Sequence, residues 1–237
     1  MPDLKAALVD VGGTLWPETK WAPWEQLRAT RVERLTEAGV EPRHVDALLA
    51  ELSARTLHGS ELEYFDVWAM IAAACAAADV KRVSAEAIRY ACLLPAEGNL
   101  DPLPGAHALL ECVHDLGLRC VIASNGIYRT AADYWTDFRT QALAGWILAV
   151  VSSVDTRWRK PNLSFFQAVL EAADVPAGAC VMIGNSETND ILPAASLGMR
   201  TVRVAIEEAI PTASAADVVC ASLGASASAV RQLARGD

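Results

Sequence analysis

Six short apolar runs separated by stretches of helical spacing limit most strongly what this chain can fold into. They are residues 4–11 (LKAALVDV), 118–123 (LRCVIA), 147–152 (ILAVVS), 180–183 (CVMI), 201–205 (TVRVA) and 218–220 (VVC). A short continuous apolar run suits a strand covered on both faces. Strands that alternate with helical segments build βαβ units, so the expected fold is α/β with a doubly wound parallel sheet.

Between the first run and the second the pattern changes. Residues 16–100 contain no strand-like run and hold four amphipathic stretches, near residues 22–38, 42–57, 62–78 and 84–94. A helical segment of that length exceeds any crossover connection. It is expected to form an all-helical cap domain over a core made of residues 1–15 and 101–237. The Pro/Gly-rich segment 95–105 (PAEGNLDPLPG) punctuates the exit and residues 13–18 the entry, both candidate hinges. The Ala/Ser-rich tail is expected to end in a plain surface helix.

Composition removes several function classes. A chain of 237 residues, 53% hydrophobic and 21% charged, buries a sizeable core without staples. Its formal net charge of -9 repels phosphate backbones and acidic lipid, and the densest basic cluster, Arg157, Arg159 and Lys160, holds only three cations. No nucleic-acid or membrane partner is expected. Residues 68–78 form the most apolar window, which is too short to span a bilayer. Six cysteines occur singly, with no CxxC pair, and read as buried thiols of a cytoplasmic protein.

Four polar motifs follow the apolar runs, where open α/β sheets bind their ligands. They are Asp10-Val-Gly-Gly-Thr14-Leu15, Ser124-Asn125-Gly126, Arg159-Lys160-Pro161, and Gly184-Asn-Ser-Glu-Thr-Asn-Asp190. Asp10 ends a strand before two glycines, where its carboxylate can attack an electrophile. Gly12 and Gly13 leave room for a bound group, and the hydroxyls of Thr14 and Ser124 and the amide of Asn125 suit phosphate-like oxygens. Ser124 and Asn125 also suit a helix N-cap. Lys160 would neutralise charge that develops at the nucleophile, and Asp190 would suit a helix N-terminus.

In order, spacing and placement these motifs resemble the haloacid dehalogenase (HAD)-like hydrolase superfamily, with a helical cap inserted after the first. The resemblance implies a hydrolase in which Asp10 forms a covalent intermediate, with Lys160 and Thr14 as partners and Ser124, Asn125 and Gly126 at the transferred group. In the phosphatase branch it implies Mg²⁺ held by Asp10, the carbonyl of residue 12, Asn185 and Asp190, with Glu187 as a further acid.

Two positions depart from that pattern. Gly12 stands where phosphatases carry a second aspartate, whose acid–base help is worth about 10²- to 10⁴-fold. Asn185 stands where the first acid of the fourth motif is usual, and its neutral oxygen binds a hard dication less strongly than a carboxylate does. The leading expectation is a phosphatase of a small phosphorylated metabolite. A metal-independent dehalogenase-like hydrolase of a small acid, with Arg28 or Arg31 as the anion-binding cation, is a second, and a catalytically weak binding protein a third.

Of the seven tryptophans, Trp16, Trp21 and Trp24 follow the first motif closely and Trp158 precedes Lys160. The first three are expected to line an apolar or aromatic substrate pocket, so that replacing Trp16 with alanine alters substrate preference more than stability. Trp21 and Trp24, three apart, equally suit a packed helix face. His44, His58, His107 and His114 show no ligand spacing.

Overall fold

The apolar runs become six strands that all pair in parallel. They are β1 (Ala6–Val9), β2 (Arg119–Ser124), β3 (Ala149–Ser152), β4 (Cys180–Gly184), β5 (Arg200–Val204) and β6 (Val218–Cys220), in the spatial order β3-β2-β1-β4-β5-β6. The computed structural model describes residues 3–17, 24–60, 63–93, 101–206 and 213–235, with residues 24–26 and 57–60 described by their backbone alone. Chain order runs in opposite directions on the two sides of β1, which places the topological switch at its C-terminal end.

Alternation along β1 explains the layers. Ala7 and Val9 face a core shared with α5 (Ala106–Asp115), α6 (Ala131–Thr140) and α10 (Leu223–Arg235). Ala6 and Leu8 face the other side, toward α8 (Leu163–Ala173) and α9 (Leu192–Ser196). With both faces covered, β1 and β4 are fully buried, which is why their sequences carry no polar alternation.

The tail corrects one expectation. Helix α10 is amphipathic rather than a plain surface helix: Leu223, Ala227, Val230 and Leu233 pack into the sheet's core beside α5. Gly105 records how closely the two helices approach. It adopts φ +95° before α5, and a Cβ there would stand 3.1 Å from Cβ of Leu223, so no other residue fits without strain.

Four helices occupy the insertion: α1 (Trp24–Glu37), α2 (Pro42–Ser60), α3 (Val67–Ala77) and α4 (Ala85–Cys92). They bury a core of their own, in which Leu35, Leu48, Leu52, Ile71 and Ile88 are almost fully enclosed. The third helix starts later than its spacing suggests. Asp66, itself extended, accepts hydrogen bonds from the amides of Trp68 and Ala69 as its N-cap, and residues 63–66 lie outside any helix.

Two devices fasten the insertion to the sheet. Arg89 of α4 is buried and donates to Asp133 of α6 at 2.6 Å, while Asp133 also closes the capping box of that helix with Thr130. Beside the third motif, Phe65 N donates to the Arg157 carbonyl and Arg159 N to the Glu63 carbonyl, each at 2.8 Å, and the rings of Tyr64 and Trp158 meet edge to face at 4.9 Å. Trp158 is thus part of a clasp between insertion and core. All six cysteines are free, five of them buried and Cys75 half-buried. Among the described residues, no helix is long and apolar enough to cross a membrane.

Candidate active site

A tight turn aims Asp10. The Val11 carbonyl accepts hydrogen bonds from the amides of Thr14, Leu15 and Trp16, and Gly13 takes the left-handed conformation (φ +69°) that lets the chain reverse there. The side chain of Asp10 is left at the end of β1, largely buried. Thr14 Oγ1 donates to its Oδ2 at 3.1 Å and Lys160 Nζ to its Oδ1 at 2.5 Å.

Lys160 reaches the site from the loop after β3 and α7 (Ser153–Thr156). Its ammonium is shared between Asp10, Oδ1 of Asp190 at 2.6 Å and the Ala123 carbonyl at 2.9 Å. All three donors of the ammonium are therefore spent. Burial alone would lower the Lys160 pKa, but the two carboxylates overcome it and hold the group above its ordinary range. Burial, with Asp10 adding to it, pushes Asp190 up to about 6 against the pull of Lys160.

Asp190 lies in a π-helical turn (Glu187–Ile191) that follows β4, capped by Ser186 Oγ accepting from Asn189 N. Its Oδ2 accepts from Ser186 N at 3.0 Å. Gly184 makes this geometry possible, because a Cβ there would stand 2.5 Å from Cγ of Asp190.

Asp10, Gly12, Gly13, Ser124, Asn125, Lys160, Asn185 and Asp190 together line one cavity of about 500 Å³. Within this cluster, two polar side chains are used differently from the sequence-based expectation. Thr14 is fully enclosed behind Asp10, and its hydroxyl orients that carboxylate rather than a bound oxygen. The side chain of Asn125 holds the backbone of Lys160 at both ends, donating to its carbonyl at 2.9 Å and accepting from its amide at 2.8 Å. Ser124 shares a 2.7 Å hydrogen bond with the Tyr134 hydroxyl.

Glu187 is also corrected as a metal acid. Its carboxylate accepts from Arg203 Nη1 at 2.8 Å, Ser214 Oγ at 2.6 Å and Ala215 N at 2.7 Å, and these partners hold its pKa low despite burial. Among the described residues, no three acidic, histidine or cysteine side chains converge on a metal position. Three carboxylates line the cavity, but Asp190 is held by Lys160 and Ser186 N and Glu187 by Arg203, Ser214 and Ala215, which leaves Asp10 with the neutral oxygens of Gly12 and Asn185 as the donor set. This set fits Mg²⁺ only as an ion shared with a ligand's phosphate, the way Mg²⁺ commonly binds through one or two carboxylates.

A second cavity of about 390 Å³ adjoins the first, sharing Gly12, Ser124 and Asn125. Gly126 and Trp16 line it. Trp16 is nevertheless almost fully buried and packs on Phe138 with ring centroids 4.7 Å apart, so it is core and cavity wall at once. Trp21 and the side chain of Trp24 lie outside the described residues. Arg28 pairs with Asp46 away from this cavity, whereas Arg31 lines it.

Sequence reasoning passed over Arg203 and Tyr134. A cation inside an otherwise apolar strand, as Arg203 is in TVRVA, is the signal that could have flagged the first. Tyr134 carried no signal, since only the fold brings α6 against the second motif.

A family model of the haloacid dehalogenase-like hydrolases matches residues 4–198, and the chain belongs to that family. Among curated proteins it is similar to the glyceraldehyde 3-phosphate phosphatase of Methanopyrus kandleri, 26% identical over 85% of this chain and 84% of that one. The corresponding phosphatase of Methanothermobacter thermautotrophicus is 29% identical over 44% of this chain, a match that spans 45% of the relative's length. Among solved structures, a HAD phosphatase from Thermococcus onnurineus superposes with a TM-score of 0.64 at 21% identity, covering 96% of this chain and 98% of that one. A 2-haloacid dehalogenase from Pseudomonas syringae pv. Tomato superposes with a TM-score of 0.67 at 20% identity, covering 99% and 100%.

Proposed function

We propose that this hydrolase is a phosphatase of a small phosphorylated metabolite, working through an aspartyl-phosphate on Asp10. The observation that carries it is the Asp10 carboxylate, fixed between Thr14 and Lys160 on a polar cavity that also holds Ser124, Asn125 and Asn185. The likeness to two glyceraldehyde 3-phosphate phosphatases supports phosphate as the transferred group.

In this reading an oxygen of Asp10 attacks phosphorus, the ester bond breaks, and the alcohol departs. Water then attacks the aspartyl-phosphate and releases inorganic phosphate. Lys160 keeps Asp10 aligned and offsets negative charge in both steps, in a site dry enough for that charge to count. Asp190 and Asn125 act through Lys160, one on its ammonium and the other on its backbone. Asp10, Gly12 and Asn185 would hold Mg²⁺ together with the substrate's phosphate, with Asp190 as an outer acid. When bound, that ion supplies positive charge to the phosphoryl oxygens.

Residues 16–100 act as a cap that closes a small molecule against the core of residues 1–15 and 101–237 and excludes water. Free cysteines suit a reducing cytoplasm.

A panel of phosphate esters and 2-haloacids, assayed with and without Mg²⁺ on the native protein and on Asp10→Asn, tests the proposal. Mg²⁺-dependent phosphate release that disappears in the variant supports it. Metal-independent halide release would instead establish the dehalogenase reading, which Arg31 beside the second cavity favours. Retained binding without turnover of any compound would mark a ligand-binding protein.

A further inference from the structure

Resting on the phosphatase reading, we infer that Tyr134 is a positioning residue: its hydroxyl donates to Ser124 Oγ and so turns the serine's one proton toward a phosphoryl oxygen of the ligand. The contact is a 2.7 Å hydrogen bond between two buried side chains. Two hydroxyls that meet in this way carry two protons, and only one of them lies between the oxygens. Whichever partner donates leaves the other with a proton to spend.

Elementary acidity decides the direction. A phenol is a stronger acid than an alkyl alcohol and the better donor, while the serine oxygen is the better acceptor. Burial pushes the Tyr134 phenol above its ordinary range, so it keeps its proton across neutral pH. Among the described residues, neither hydroxyl has a second hydrogen-bond partner. The remaining proton therefore belongs to Ser124, which lines the Asp10 cavity as well as the second one, whereas Tyr134 lines only the second.

Packing fixes the donor without help from the serine. The Tyr134 ring stacks on Phe138, one turn further along α6, with centroids 6.3 Å apart, and the guanidinium of Arg129 lies 5.7 Å from its centroid. Arg129 is in turn paired with buried Asp137. A donor oriented before a ligand arrives counts most where negative charge develops, which in this reading is on the phosphoryl oxygens.

A double-mutant cycle tests the inference, with Tyr134→Phe, Ser124→Ala and the double variant assayed on 4-nitrophenyl phosphate and glycerol phosphate. Tyr134→Phe keeps the ring and removes the hydroxyl, so kcat should fall about tenfold, the worth of one charge-assisted hydrogen bond, with a smaller change in KM. In the Ser124→Ala background the same substitution should change kcat by less than about twofold, because no hydroxyl is left to direct. A purely structural role for Tyr134 would lower kcat alike in both backgrounds. Losses that multiply, or a native kcat in Tyr134→Phe, overturn the inference. Binding of inorganic phosphate to the same four proteins, followed by calorimetry, is the separate arm. If neither ester releases phosphate in an Asp10-dependent way, yet Tyr134→Phe weakens phosphate binding only where Ser124 is present, the phosphatase reading falls and the coupling of the two hydroxyls stands. Phosphate binding weakened alike in both backgrounds overturns the coupling, and a native protein that neither cleaves an ester nor binds phosphate overturns both.

Discussion

Asn125 holds Lys160 by both ends of its peptide unit, its amide nitrogen donating to the Lys160 carbonyl at 2.9 Å and its oxygen accepting from the Lys160 amide at 2.8 Å. The second motif therefore builds the third. The ammonium can meet Asp10 and Asp190 together only because its backbone is clamped from β2.

Replacing Asn125 with alanine should lower kcat about 100-fold, the cost of misplacing a catalytic group by about 1 Å. Two lost hydrogen bonds should also cost about 1–3 kcal/mol in a urea titration. Asn125→Asp keeps the acceptor and loses the donor. It should fall between alanine and the native protein in kcat; a native kcat in either variant would show the clamp to be incidental.

Lys160→Met leaves Asp10 and Asp190 buried side by side without their cation. At pH 8 this should cost about 3–5 kcal/mol. The Lys160 pKa is raised by folding, so its stabilising effect is complete below the ordinary 10.5 and fades only above it. Asp190 has the opposite sign: its raised pKa makes ionisation in the fold unfavourable above about 6, and the penalty vanishes below the ordinary 3.8. The variant should therefore lose less stability at pH 5 than at pH 8, measured by thermal melting. In the native protein, kcat should rise through about pH 6 as Asp190 ionises and secures the lysine.

Gly12→Asp tests whether a missing acid limits the chemistry. A Cβ at this position meets nothing within 4 Å, so the substitution should fold normally. Hydrolysis of alkyl phosphates should rise at least about 100-fold, the lower end of general acid–base help. Steady-state rates with glycerol phosphate would decide it, and an unchanged rate would mean that the proton comes from elsewhere.

Trp16→Ala should destabilise the protein by about 3–5 kcal/mol, because the ring fills core space against Phe138 as well as lining the second cavity. The sequence-based expectation that substrate preference would change more than stability is thereby revised. Trp16→Phe should restore most of the stability in a denaturant titration while still altering KM for aromatic esters.

Much of the site was legible from residue type and order. Ser124 ends a strand and Asp10, Lys160 and Asp190 lie beyond one, and a parallel sheet brings such strand ends to one edge whatever the intervening loops contain. The roles of Thr14, Asn125 and Glu187 were not legible. Each carries groups that suit a phosphate or a metal, and each is claimed by a protein partner that competes for the same hydrogen bonds.

By itself, then, the sequence determined the parallel sheet, the helical insertion and the sheet edge where the four motifs meet, because local hydrophobic period and strand placement suffice for those. Tertiary structure alone decided which polar atoms stay available. Lys160 meets Asp10 across 150 positions of chain, Glu187 is consumed by Arg203, and Arg31 comes to line a cavity that Gly12 shares. Such pairings depend on distance and direction in space, which no local pattern encodes.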